Sequence, residues 1–174
     1  MGRVEKSIEI KASPEKVWEL LALDRLQEWE KGYGEGLGER VEYTSKVNTP
    51  EDKYKVGATA QGTPNTPFGD SQHHICRFEI IESLEHEKIK YRAYEKPKYF
   101  GTLSMLRTYF LEPVGTDTKI TSEFESEKYG IFGILGRFFE VLYLRRWAEK
   151  TLWTELEKLK SLLEQQKEGD VLCR

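Results

Sequence analysis

Arg107 stands in the run TLSMLRTYFLE (102–112), in alternating phase with Leu103, Met105, Tyr109 and Leu111. On a strand these five side chains share one face. If that face is the inner one, a guanidinium enters an apolar interior and has to be paired with a carboxylate or with a ligand anion. A break in register would send it outward instead. Tyr91, in EKIKYRAYE beside Ile89 and Ala93, and Tyr109 bring hydroxyls to the same kind of face, where a buried hydroxyl normally finds a partner. Each has two readings: core packing, or orienting a ligand oxygen and, in an enzyme, donating a proton to an enolate.

Other chemistries lack their residues. The glycine run GYGEGLG (32–38) does not have the spacing of a dinucleotide fingerprint, and no G-K-[ST] occurs. It reads as a loop between a helix and a strand. His73 and His74 are adjacent and point to opposite faces of a strand; His74 and Cys76 share a face, but a zinc site would need a third ligand, so no metal or other cofactor is expected. There is no G-x-S-x-G or H-E-x-x-H, and neither Cys76 nor Cys173 has a nucleophile's flanking sequence. Catalytic residues cannot be assigned. What remains is binding, or acid–base work by polar residues at inward strand positions.

Length and composition bound the rest. A chain of 174 residues fits one domain, able to bury roughly 70% of its unfolded surface. With 38% hydrophobic, 12% aromatic and 33% charged residues it reads as a globular protein. A net charge of −3 gives no general attraction to nucleic acid or anionic bilayers. The N-terminus MGRVEKSIEIK lacks the apolar core of a secretory signal, and two isolated cysteines do not resemble a disulfide framework. The expectation is a cytoplasmic protein, monomeric or weakly dimeric.

The elements that must position Arg107 and the tyrosines follow from periodicity. Val4, Ile8 and Ile10 alternate in a first strand (3–12). SPEKVWELLA starts a helix, with Ser13 as N-cap, Pro14 in the first turn and Val17, Leu20 and Leu21 inward. Asp24 is placed to cap a second short helix, RLQEW, ending at Trp29. Strands follow around Val41 to Ser45, in VGATAQG (56–62), in HICRFEIIES (74–83) with Phe78 and Ile80 in phase, and in EKIKYRAYE. TLSMLRTYFLE and TKITSEFES, which contains Phe124, are joined by the turn PVGTD (113–117).

The last 40 or so residues read as one helix. Leu135, Phe138, Leu142, Arg145, Glu149, Leu152, Leu156, Leu159 and Leu163 form a stripe, carrying charge near its middle. Phe139, Tyr143 and Trp147 lie beside its N-terminal half, inside the apolar stretch YGIFGILGRFFEVLYLRRW (129–147). That stretch is interrupted by Arg137 and Glu140 too soon to span a membrane. The charged residues between 149 and 168 read as a solvated face with i,i+4 pairs at best and no partner. Trp18 and Trp153 are assigned to packing, Trp29 and Trp147 to cavity walls.

The order strand, two short helices, about six antiparallel strands and long C-terminal helix resembles the helix-grip fold of the START-like (SRPBCC) superfamily. Its lipid-transfer and polyketide cyclase/dehydrase groups are the nearest in kind. The likeness is carried by IEIKASPEKVWELLA, Trp29, YFLEPVGTDTKIT and LWTELEKLKSLLE, nearly the whole chain. It implies an α+β fold in which a curved sheet of six or seven strands wraps the long helix around an apolar ligand. One domain is expected over residues 1–168, with a polar tail at 169–174. The function expected is binding or carriage of a lipid, isoprenoid, quinone or polyketide-like molecule by Trp29, Phe78, Tyr91, Arg107, Tyr109, Phe124, Phe139, Tyr143 and Trp147. The alternative is a cyclase or dehydratase that uses the inward Arg and Tyr groups on such a substrate, without metal or covalent nucleophile.

Overall fold

The structure, a computed structural model, describes residues 3–29, 41–43, 50–62, 76–95, 103–128 and 145–172. The described strands are β1 (Arg3–Ile10), β2 (Val41–Tyr43), β3 (Thr59–Gly62), β4 (Cys76–Leu84), β5 (Lys88–Glu95), β6 (Leu103–Val114) and β7 (Asp117–Lys128). They form one antiparallel sheet in the order β1-β7-β6-β5-β4-β3-β2. Consecutive strands pair as hairpins throughout β2 to β7, and β1 closes onto the last strand, Val4 opposite Phe124 and Ile8 opposite Ile120. This is the α+β helix-grip arrangement expected from the element order.

Two irregularities bend the sheet. Between β4 and β5 the register shifts at Ile80/Glu82, and between β6 and β7 the step from Ser104 to Met105 spans Lys128 to Ser126. The extra residues, Ile81 and Glu127, are bulges, which kink the bulged strand and raise its twist. Glu127 accepts both arms of the Arg92 guanidinium, at 2.9 and 3.1 Å, and the Ser104 hydroxyl at 2.7 Å.

The β6–β7 turn is tighter than PVGTD suggests. The strands run through Pro113 and Asp117, leaving Gly115 and Thr116 between them, with Gly115 at φ +62°. A two-residue loop with positive φ at its first central position is the type II′ hairpin, whose twist matches that of the flanking strands. Nothing crowds a Cβ built at Gly115, so a side chain there costs backbone strain without a clash. Gly115→Ala is expected to lower stability by about 1–2 kcal/mol, read as a shift in urea midpoint with unchanged m-value. A rise in stability would contradict the turn assignment.

Three helices complete the described fold: α1 (Pro14–Leu20), α2 (Leu26–Trp29) and α3 (Arg145–Leu172). Ser13 holds the N-cap position of α1 with Pro14 following, as its sequence signals. Asp24 caps nothing: Ala22 is the N-cap of a 3-10 turn over Leu23–Arg25, with Asp24 inside that turn and α2 continuing from it. Arg25 binds Glu28 through two hydrogen bonds of 2.7 Å, a local tie that Asp24 cannot make.

α3 lies across the concave face, closest to β1 and β7. Its buried stripe is Ala148, Leu152, Leu156, Leu159 and Leu163. Arg145 and Glu149, placed on the stripe by 3-4 counting, instead face outward and pair with each other at 3.1 Å, which keeps both charges hydrated. The earlier members Leu135, Phe138 and Leu142 lie outside the described residues. Trp153 is 42% exposed, not packed, because it follows Leu152 by 100° around the helix. Lys160 and Glu164 pair at 3.8 Å; Lys160 donates to the Glu9 carbonyl and Glu164 accepts from the Lys11 amide. These side chains cover the open edge of β1, whose free backbone groups would otherwise template association.

Candidate functional site

The register lays the inner face out in transverse rows. Ile80, Tyr91, Arg107, Phe124 and Val4 form one row, and Ile89, Tyr109 and Ser122 the next. On the other side, toward Glu95 at the end of β5 and Lys128 at the end of β7, lie Ala60, Phe78, Ala93, Met105 and Ser126. Arg107 therefore points inward, as its phase with Met105, Tyr109 and Leu111 requires, and all four side chains are buried.

The partner of Arg107 is a carboxylate on the long helix. Its Nη1 donates to Glu155 Oε2, and it also donates to the Tyr109 hydroxyl at 3.4 Å. That hydroxyl donates in turn to Glu155 Oε2 at 3.4 Å. The Arg107 guanidinium lies 5.9 Å from the Phe124 ring centre, a cation–π distance. Sequence reading assigned the whole charged set between 149 and 168 to solvent, and at Glu155 that assignment is wrong. Glu155 is 1% exposed. The signal was present: Ala148, Leu152, Glu155, Leu159 follow a 4-3-4 spacing, so Glu155 occupies a core position of the stripe.

Burial pushes the Glu155 carboxyl above its usual range, against the attraction and hydrogen bond of Arg107 and the hydrogen bond of Tyr109, which pull it down. Its second oxygen, Oε1, has no hydrogen-bond partner among the described residues, and the buried hydroxyls of Ser122 and Ser126 have none either.

The aromatic residues form a linked group around this pair. Trp29 packs edge-on to Tyr109 at 5.4 Å, and Tyr109 edge-on to Tyr91 at 6.0 Å. The Tyr91 hydroxyl donates to the Leu21 carbonyl, and Trp29 Nε1 to the Leu20 carbonyl at 2.6 Å. Both acceptors are orphan carbonyls at the end of α1, so these two side chains finish the helix as well as fill the interior. Of the nine residues picked from sequence, Trp29, Tyr91, Arg107, Tyr109 and Phe124 thus come together, and Phe78 stands one row away. Phe139 and Tyr143 lie outside the described residues, as does the side chain of Trp147. His73 and His74 lie outside them too.

Packing is uneven along the face. Ile80, Ile89, Ile120, Leu152 and Leu156 are fully buried, whereas Phe78, Met105 and Arg107 keep 7–8% exposure. A separate open groove between β1 and α3, lined by Ile8, Glu157, Lys160, Ser161, Glu164 and Gln165, contains none of the picked residues. Among the described residues no three metal-ligating side chains converge, and no helix is long and apolar enough to cross a membrane.

Solved structures share this architecture at low identity. A Chromobacterium violaceum protein matches with a TM-score of 0.65 and 17% identity over 94% of this chain and 99% of its own. A Mycobacterium smegmatis protein matches at 0.63 and 14%, over 94% and 92% of the two chains. A protein of the dynemicin biosynthetic locus matches at 0.51 and 16%, over 90% of this chain and 46% of its own. Identities in this range speak to the fold alone. No curated protein matches the sequence. The family described as polyketide cyclase / dehydrase and lipid transport matches residues 1–164, the same span that holds every described strand, Arg107 and its partner Glu155, and the chain belongs to that START-like family.

Proposed function

We propose that the protein binds and carries a hydrophobic small molecule, a lipid, isoprenoid, quinone or polyketide-like compound, between the concave face and the start of α3. One observation carries the reading. In the row Ala60, Phe78, Ala93, Met105, Ser126, three of five side chains are small, and the buried helix residue nearest the start of α3 is Ala148. The neighbouring row, Ile80 to Val4, is built of large side chains. Sheet and helix are held apart by the large row, so room is expected over the small row, whose Phe78 and Met105 retain exposure. A largely apolar wall with a few polar groups, here Arg107, Glu155 and Ser126, is what a small-molecule site uses. Trp147, in the first turn of α3, and Phe139 and Tyr143, which precede α3 in the chain, are proposed to complete the lining.

Native mass spectrometry of freshly purified protein, with extraction and identification of what co-purifies, tests this directly. An apolar adduct is expected on the wild type and its loss on Ala93→Leu, which fills the small row from a rigid strand position. An adduct retained by Ala93→Leu would place the ligand elsewhere. No adduct, together with no uptake of added fatty alcohol or quinone, would overturn the reading.

A cyclase or dehydratase role is favoured by a different observation, the raised Glu155 carboxyl beside the Tyr109 hydroxyl, since shifted acids in an enclosed site are candidates for proton transfer. Folding a flexible chain into a reactive shape requires no nucleophile. Turnover of a polyketide-like substrate by the wild type and not by Tyr109→Phe would support that role.

A further inference from the structure

The charge of Arg107 is already answered within the protein, while the carboxylate that answers it is only half satisfied. Glu155 Oε2 receives Arg107 Nη1 and the Tyr109 hydroxyl; Oε1 is buried and receives nothing among the described residues. Side chains on a helix lean toward its N-terminus, so Glu155 reaches back toward the Ala148 turn, in the direction of the small row that ends at Ser126. The Ser126 hydroxyl is also buried and without a partner among the described residues. Glu155 on α3 and Ser126 on β7, two elements in contact, thus each keep an unsatisfied buried polar atom, a costly arrangement unless something binds there.

Resting on the ligand-binding reading above, we propose that the occupant presents an uncharged hydroxyl, of an alcohol or a phenol, to Glu155 Oε1, and that carboxylate ligands are selected against. The ligand O–H donates to Oε1, and its oxygen accepts from the Ser126 hydroxyl. A carboxylate would bring an acceptor-only group to an acceptor, and two carboxylates would then compete for one guanidinium. An ether of the same size would leave Oε1 unpaired, and a site built to pair with a hydroxyl discriminates strongly against an analogue lacking it. Arg107 in this arrangement is a positioning residue that orients Glu155 and favours its ionised form against the upward pull of burial.

The test uses three fluorescent probes with the same long chain: a terminal alcohol, the matching carboxylate and the matching methyl ether, titrated at about pH 8 where a carboxylate is ionised. The wild type is expected to bind the alcohol at least about tenfold more tightly than either analogue. The joint Arg107→Met/Glu155→Met variant removes both charges at similar volume without stranding either, and there the three affinities should converge to within about threefold. Carboxylate binding as tight as alcohol binding in the wild type would overturn the proposal, as would an unchanged ranking in the joint variant. Both of those results leave ligand carriage standing. Wild type that takes up none of the three probes, while an apolar adduct is also absent by mass spectrometry, would sink carriage and this proposal together.

Discussion

Arg107→Met is expected to cost about 3–5 kcal/mol at neutral pH, because it strands a carboxylate in the interior. Glu155 is almost fully buried, and its described partners are Arg107 and Tyr109. With the guanidinium gone, the attraction and hydrogen bond that restrain its already raised pKa disappear, and only the Tyr109 hydrogen bond is left to oppose burial. A carboxyl whose pKa is higher folded than unfolded binds its proton more tightly in the native state. Its contribution is then most favourable below the unfolded value, about 4.3, and is lost as pH rises through the folded value. The deficit of Arg107→Met should therefore shrink as pH falls toward 4. Adding Glu155→Met should recover most of the loss at neutral pH, since an apolar pair of similar volume has no charge to desolvate. Urea denaturation at several pH values on both variants decides the matter. A single variant within about 1 kcal/mol of wild type at neutral pH would mean that the pair is not isolated from water.

Leu156→Ala is expected to remove about 2–5 kcal/mol, with Leu152→Ala in the same range. Both side chains are fully buried on the stripe that seats α3 on β1 and β7. They share one buried cluster with Ile10 and Ile120 from paired strands and Leu20 from α1, so the space left by the deletion cannot close easily. The two substitutions probe different parts of the helix grip from Arg107→Met, and the loss should be independent of pH. A loss well below 1 kcal/mol at both leucines would mean that α3 is held by something other than its leucine stripe.

The strands were legible because a half-buried strand writes its environment into every second residue. Val4, Ile8 and Ile10, or Met105, Arg107, Tyr109 and Leu111, declare one face whatever the partner strand turns out to be. The same alternation set Arg107 on the face of Met105, Tyr109 and Leu111, and left open whether that face was the inner one. Helix capping was less legible: Asp24 is a good cap residue in isolation, yet a 3-10 turn starts one residue earlier and takes Asp24 into its interior. The hairpin turn came out shorter than its polar composition, because Gly115 supplies the φ that closes it and Pro113 and Val114 still pair with Thr118 and Asp117.

The sequence by itself determined the order of elements, which side chains of each strand share a face, and, for an inward Arg107, the need for a carboxylate or an anion opposite it. It did so because periodicity and burial of charge are local constraints, felt within a few residues along the chain. Which carboxylate answers Arg107 was decided by tertiary structure: Glu155 lies 48 residues away, and its spacing with Leu152 and Leu159 marks a core position without saying which charge it meets. The small row from Ala60 to Ser126 is likewise invisible along the chain, since its five members come from five strands and meet only through the register of four pairings. Contacts between distant segments depend on how the sheet curves and where α3 settles on it, and no local pattern encodes either.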